Sequence, residues 1–246
     1  MKSPILKYQQ KVFKEYSRSI DLPPNYTYPD GNPIRPLPPI QTKTNGLMIV
    51  GAYPSARFES RKAIDGTNQY RLIPVGDNLQ PFGNEEYFDG VKVRKLVSGI
   101  ALRENLLDGL GLDFTDCWIT NLVKVFLYKE EHVDSYKAVD PYFKIQMLRN
   151  DFINYGEKSL NWLNEEVQLC NPKAIVTLGH EVAQVISGKK NVEADKILQS
   201  EIDNPEGVGG VPTVYAPHPD ACRRFEKWRK IMEGRVGIVK KQLSIK

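Results

Sequence analysis

The residues of this 246-residue chain best suited to chemistry stand where apolar stretches end. Leu47-Met48-Ile49-Val50 runs into Gly51-Ala52-Tyr53-Pro54-Ser55. Asn121 lies near the end of the β-rich stretch Cys117 to Val123. Ala174 to Leu178 leads into Gly179-His180, and Thr213 to Ala216 stops at Pro217-His218-Pro219. A short apolar run closed by Gly or Pro reads as a buried strand feeding a tight turn. Gly51 permits a close backbone approach, and Pro54 biases Tyr53 towards an extended conformation. Asn121 presents one acceptor and two donors on a planar amide, which suits the edge of a nucleobase or a similar amide. His218, held between two prolines, can donate to a developing anion, a role worth roughly 10²–10³ in rate. Ser55, His218 and Asp220 also supply the residue types of a nucleophile–base–orienter set, although no Gly-x-Ser-x-Gly elbow surrounds Ser55. Taken singly, each has an ordinary alternative: a strand-to-loop turn, a cap asparagine, a loop histidine.

Bulk properties narrow the classes. Hydrophobic residues make up 41% and charged residues 26%, ordinary for a globular protein with a real core. No apolar run approaches the ~20 residues of a membrane span, and Met1-Lys2-Ser3-Pro4 lacks the apolar core of a secretory signal. Cys117, Cys170 and Cys222 are odd in number and far apart, so no disulfide framework is expected. The histidines show no metal-binding spacing, and the Gly207–Gly210 piece does not follow an apolar strand, so neither a metal nor a dinucleotide is expected. These features point to a cytoplasmic protein, nucleoid-associated if bacterial, without membrane contact. Net charge is +4, but His218 to Lys246 holds nine Lys/Arg against three Asp/Glu, a local +6 that leaves −2 elsewhere. A basic stripe of this kind suits a phosphate backbone, or is simply a solvated helix and tail.

These groups need a scaffold to bring them together. Helical periodicity covers about Pro4 to Ile20. Seven of the seventeen prolines then fall between Asp21 and Ile40, an extended arm. Four strands follow: Gly46 to Val50, Cys117 to Val123, Ala174 to Leu178 and Thr213 to Ala216. Helices are expected over Val93 to Leu110, Tyr142 to Cys170, His180 to Ile186 and Asp220 to Met232. Ala56 to Gly90 reads as irregular, and Ser187 to Gly210 as a surface excursion. Strands alternating with helices imply an α/β fold, a three-layer sandwich around a central, mostly parallel four-stranded sheet. The division is an N-terminal helix and proline-rich arm over 1–45 and one α/β domain over 46–246. All four strand ends then lie along one edge.

With that order, the chain resembles the uracil-DNA glycosylase superfamily, most closely the branch that often carries an iron–sulfur cluster. Leu47 to Ser55 is similar to its strand and Gly-x-x-Pro-Gly motif, and Pro81-Phe82-Gly83 to its Pro-Phe-x-Gly piece. Trp118 to Lys124 resembles its Ile-Thr-Asn-x-x-Lys strand end. Ala174 to Gly179 and His218-Pro219 resemble its last apolar strand and His-Pro motif. The resemblance implies a monofunctional DNA glycosylase of base excision repair. It would act on uracil or another deaminated or damaged base in single- or double-stranded DNA, as a monomer. Phe82 would stack on the extruded base, Asn121 would read its amide edge, and Gly51 would border it. His218 would stabilise charge growing on the base. Tyr53 and Ser55 would contact the sugar and position water, and Pro54, Arg223 and Arg224 would face DNA. Two departures stand out. The Asp, Asn or Glu that active members usually carry between the motif's Gly and Pro is absent, those positions being Ala52 and Tyr53; some members lack the acid and still work. Glu59, Asp65 and Asp77 are the nearest substitutes in sequence. Val125 replaces the cluster cysteine, so no cofactor is expected. A non-catalytic nucleic-acid- or nucleotide-binding relative, and a serine hydrolase built on Ser55, stay open as alternatives.

Overall fold

The computed structural model describes residues 3–64, 66, 69–80, 82, 86–88, 91–95, 97–200 and 202–245. The chain begins with α1 (Pro4–Ser19), β1 (Leu47–Gly51), β2 (Ala56–Lys62), β3 (Tyr70–Asp77), β4 (Glu86–Phe88) and β5 (Val93–Lys95). Next come α2 (Val97–Leu102), a π-helical turn (Arg103–Leu107), α3 (Asp108–Leu110), β6 (Cys117–Asn121), α4 (Glu130–Val139) and α5 (Phe152–Cys170). The last part holds β7 (Ala174–Leu178), α6 (His180–Ser187), α7 (Ala194–Ile197), β8 (Thr213–Ala216), α8 (Pro219–Arg224) and α9 (Glu226–Leu243).

The central sheet has the order β6-β1-β7-β8 and is parallel throughout. Its side chains alternate between two cores. Met48, Val50, Trp118 and Ile175 pack with Tyr8, Val12 and Tyr16 of α1 and Trp162, Leu163 and Val167 of α5. Leu47, Ile49, Ile119, Val176 and Val214 pack with Leu102, Leu106, Leu107 and Leu110 and with Met232 and Val239 of α9. Both faces are thereby covered, as a parallel sheet requires. The result is an α/β protein with helices on either side of a four-stranded parallel sheet, as the sequence pattern implies.

Both open sheet edges are capped by irregular chain. Along β6 the proline-rich arm forms the antiparallel Thr42–Trp118 bridge, with the Ile119 N–H donating to the Gln41 carbonyl at 3.0 Å. Along β8 the Asp203–Thr213 bridge does the same through bonds of 3.0 and 2.8 Å. Covering an edge in this way removes a template for unwanted pairing. The arm also buries Tyr26, Tyr28 and Ile34, so it is laid onto the core.

Under the end of β6 lies a buried polar network. The Lys124 ammonium meets Glu166 Oε1 at 2.5 Å, and neither side chain is exposed. It also donates to Thr120 Oγ1 at 2.7 Å and to the Asn121 carbonyl at 2.6 Å. Glu166 accepts from the Tyr8 hydroxyl at 2.8 Å and from Trp118 Nε1 at 3.0 Å. The Lys124 backbone N–H donates to the Tyr16 hydroxyl at 2.9 Å. Burial pulls the Lys124 ammonium below the ordinary lysine range, and the Glu166 charge opposes this.

Several sequence expectations need correction. Ala56 to Gly90 is not irregular: β2 and β3 form an antiparallel hairpin from Ala56–Asp77 to Lys62–Tyr70, and β4 pairs with β5. Charged residues at Arg57, Glu59 and Arg61, a bulge at Arg57/Phe58 and Pro74 within β3 disguise the alternation. The stretch expected to be helical from Val93 starts as a strand, and its helix opens only at Val97. Tyr142 to Leu148 lies outside any helix, whereas the polar stretch before it forms α4. The basic C-terminal helix is two helices, broken where Phe225 turns extended at φ −133°, ψ 120°. Among the described residues no helix is long and apolar enough to cross a membrane.

Lys124→Met would leave the Glu166 carboxylate buried without its cation. The expected loss is about 3–5 kcal/mol of stability in urea unfolding at pH 7. A loss below about 1 kcal/mol would show that the pair does not hold the core together.

Candidate functional site

The all-parallel sheet places the carboxyl ends of its four strands on one edge. Gly51 and Asn121 are register partners there. A Cβ on Gly51 would lie 2.5 Å from Asn121 Oδ1 and 2.8 Å from Phe82 Cζ. The missing side chain is what allows the amide and the ring to converge on this backbone. Asn121 is only 3% exposed. Among the described residues its side-chain amide has no hydrogen-bond partner. The Lys124 ammonium holds the Asn121 carbonyl from behind, so the amide is aimed by a fixed strand end. Phe82 adopts φ +54°, which is rare and costly for an aromatic residue and is typical of ligand-contacting turns. Pro81 and Gly83 of the same sequence piece lie outside the described residues.

On β7 and β8 the edge brings Gly179 to His218. Gly179 has φ +100°, and a Cβ there would sit 3.9 Å from His218 Cβ. His218 caps α8, and its Nδ1 accepts from the Asp220 N–H at 3.2 Å. With Nδ1 acting as acceptor, a neutral imidazole carries its proton on Nε2. His218 is exposed to solvent, and the crowding of neighbouring groups around its ring lowers its pKa from the ordinary 6.5. Asp220 opposes the shift, while Lys129 and Arg224 add to it. The ring is therefore a neutral N–H donor at pH 7.

Beyond Gly51, the Tyr53 ring packs against Phe126 and Phe152 at centroid distances of 6.4 and 6.2 Å. The Arg149 guanidinium lies 5.3 Å from the Tyr53 ring and 5.1 Å from the Phe152 ring, and it is ion-paired with Glu181. Burial pushes the Tyr53 phenol up to about 12, with Arg149 opposing, so it stays protonated at neutral pH. Pro54 is buried, and the Ser55 hydroxyl donates to the Ala56 carbonyl at 3.3 Å.

The serine-hydrolase set is not assembled. His218 Nδ1 accepts from a backbone N–H, and the Asp220 carboxylate is engaged by Arg224 at 2.5 Å. Glu59 and Asp77 are also committed elsewhere. Glu59 meets Arg61 on the outside of the hairpin, at 3.4 Å. Asp77 accepts from the Tyr28 hydroxyl at 3.0 Å and from the Arg35 N–H at 3.2 Å, tying down the arm. Asp65 lies outside the described residues. Arg223 and Arg224 are both exposed at the end of α8. Among the described residues no group of three His, Cys, Asp or Glu could hold a metal ion. Val125 is fully buried, and the three cysteines are free.

Compared with protein-family models and with curated proteins, the chain matches none. The geometry therefore carries the functional reading. Arg149 and Glu181 are the site residues that sequence reasoning missed. Glu181 had one available signal, its place just after an apolar strand end. Arg149 had none, because it belongs to a polar stretch far from every strand.

The His218 arrangement is testable by NMR titration of its ring protons. The expected midpoint lies below 6.5. By linkage, the unfolded chain then binds this proton at higher pH than the folded one. Protonation therefore costs stability as pH falls below 6.5 and costs nothing above it. A midpoint above 6.5 would mean that a carboxylate, and not the Asp220 N–H, faces Nδ1.

Proposed function

We propose that the protein binds DNA and hydrolyses the N-glycosidic bond of uracil or another deaminated or damaged base, as in base excision repair. The observation that carries this reading is the convergence of Gly51, Asn121 and Phe82 on the strand edge that also holds His218. An aromatic ring, a free amide and a neutral imidazole N–H are what an extruded base needs. Extrusion costs a few kcal/mol, least for a mispaired base. Stacking on Phe82 returns roughly 1–3 kcal/mol. A paired amide edge at Asn121 adds discrimination of about the same size. As the bond between C1′ and the base breaks, its electron pair stays on the base. The His218 Nε2–H then stabilises that charge. Arg223, Arg224 and the basic residues of α9 supply phosphate contacts, whose strength falls with salt.

A second reading keeps the pocket and loses the chemistry. Ala52 and the packed, protonated Tyr53 favour it, since neither activates water. The protein would then bind DNA or nucleotides without releasing a base.

One experiment separates the two. Labelled single-stranded and duplex oligonucleotides carrying uracil, hypoxanthine or xanthine are incubated with the protein, treated with alkali and examined for cleavage. The expected result is cleavage at one of these bases. Asn121→Ala and His218→Ala should each reduce it at least about 100-fold with the fold intact. Gly51→Ala, which drives a methyl into the amide and the ring, should do the same. Gel-shift binding without cleavage would establish the second reading, and wild-type rates in both alanine variants would remove the site assignment.

A further inference from the structure

Hydrolysis at C1′ needs a polar acceptor for water on the sugar side, and neither Ala52 nor Tyr53 provides one at neutral pH. β1 and β7 are neighbours in the sheet, with Val50 opposite Thr177. The turn that leaves β1, carrying Gly51 to Ser55, and the start of α6 after β7, carrying Gly179 to Glu181, therefore lie side by side. Arg149 joins the two, stacked over Tyr53 on the first and ion-paired with Glu181 on the second. Its backbone N–H donates to the Tyr128 carbonyl at 3.2 Å, and the Phe152 ring, 6.2 Å from that of Tyr53, packs against the guanidinium at 5.1 Å. Arg149 engages Glu181 through Oε2, and among the described residues Oε1 has no hydrogen-bond partner. The two side chains are 23% and 28% exposed, so solvent reaches the carboxylate. Of the other carboxylates near the first turn in sequence, Glu59 and Asp77 are engaged elsewhere, and Asp65 lies outside the described residues.

We propose that Glu181, held by Arg149 beside Tyr53, is the carboxylate that receives and orients the attacking water. The assignment rests on the glycosylase reading. The water oxygen bonds to C1′ while the C1′–N bond breaks, with that electron pair leaving on the base beside the His218 Nε2–H. The proton lost by the water passes to Glu181 Oε1 and on to solvent, and the departing base takes up a proton from solvent. Arg149 is a positioning residue: it fixes Oε2 and leaves Oε1 free.

The test uses the full chain and the oligonucleotide substrate on which wild type is active. Glu181→Gln keeps an oxygen for Arg149 and is expected to fold normally. It should lower kcat at least about 100-fold, within the range for loss of a general base, at unchanged KM. Glu181→Ala should lose activity similarly and regain part of it in formate, which restores a carboxylate to the vacated space. His218→Ala should gain nothing from formate. Glu181→Gln within about threefold of wild type would overturn the assignment and leave the glycosylase reading standing. Impaired Glu181 variants with no formate rescue would make Glu181 a structural residue and also overturn it. Failure of wild type to release any base would instead remove the glycosylase reading, and this assignment with it.

Discussion

Lys124 and Glu166 face each other at 2.5 Å without solvent access, and four other groups close around them. Two charges removed from water cost several kcal/mol each, so such a pair survives only with every remaining donor and acceptor occupied. Here Tyr8 comes from α1, Trp118 and Thr120 from β6, and Glu166 from α5. One network therefore fixes the N-terminal helix, the longest helix described and an edge strand against one another. Its last bond, from the ammonium to the Asn121 carbonyl, reaches the candidate site. The amide side chain of Asn121 is presented from a strand end that cannot relax without losing that bond.

The edge itself combines rigid and committed parts. Gly51 allows an amide and a ring to crowd one backbone atom, and Gly179 takes a positive φ beside His218. Arg149 ties the turn after β1 to the first turn of α6, stacking on Tyr53 of one and pairing with Glu181 of the other. Preorganised donors of this kind need no rearrangement as charge develops, which is the main source of their effect. His218 follows the same logic. A backbone N–H facing Nδ1 settles which nitrogen carries the proton, and desolvation keeps the ring neutral.

Much of this was legible in the sequence, for physical reasons. The four central strands announce themselves because strands buried on both faces are continuous apolar runs, and Gly or Pro marks where they stop. Asn121 and His218 stood out as polar residues at those stops. The β2–β3 hairpin did not, because its exposed face carries arginines and glutamate and Pro74 breaks its pattern. The π-helical turn at Arg103–Leu107 has no periodic signature that separates it from α-helix. The Arg149–Glu181 pair was unreadable, since its partners are 32 residues apart and meet only through tertiary packing. Asp77 misled in the opposite sense: a carboxylate in a loop-like stretch proved to anchor the arm.

The central claim is that the strand edge at Gly51, Asn121, Phe82 and His218 is a pocket for a base. NMR of the isotope-labelled protein titrated with free uracil tests it most directly. The account predicts saturable shifts at the Asn121 side-chain amide, the Phe82 ring and His218, with none at Gln9 and Phe13 on the far surface of α1. Unmoved Asn121 and His218 signals up to the solubility limit of uracil, or shifts confined to other parts of the surface, would contradict it.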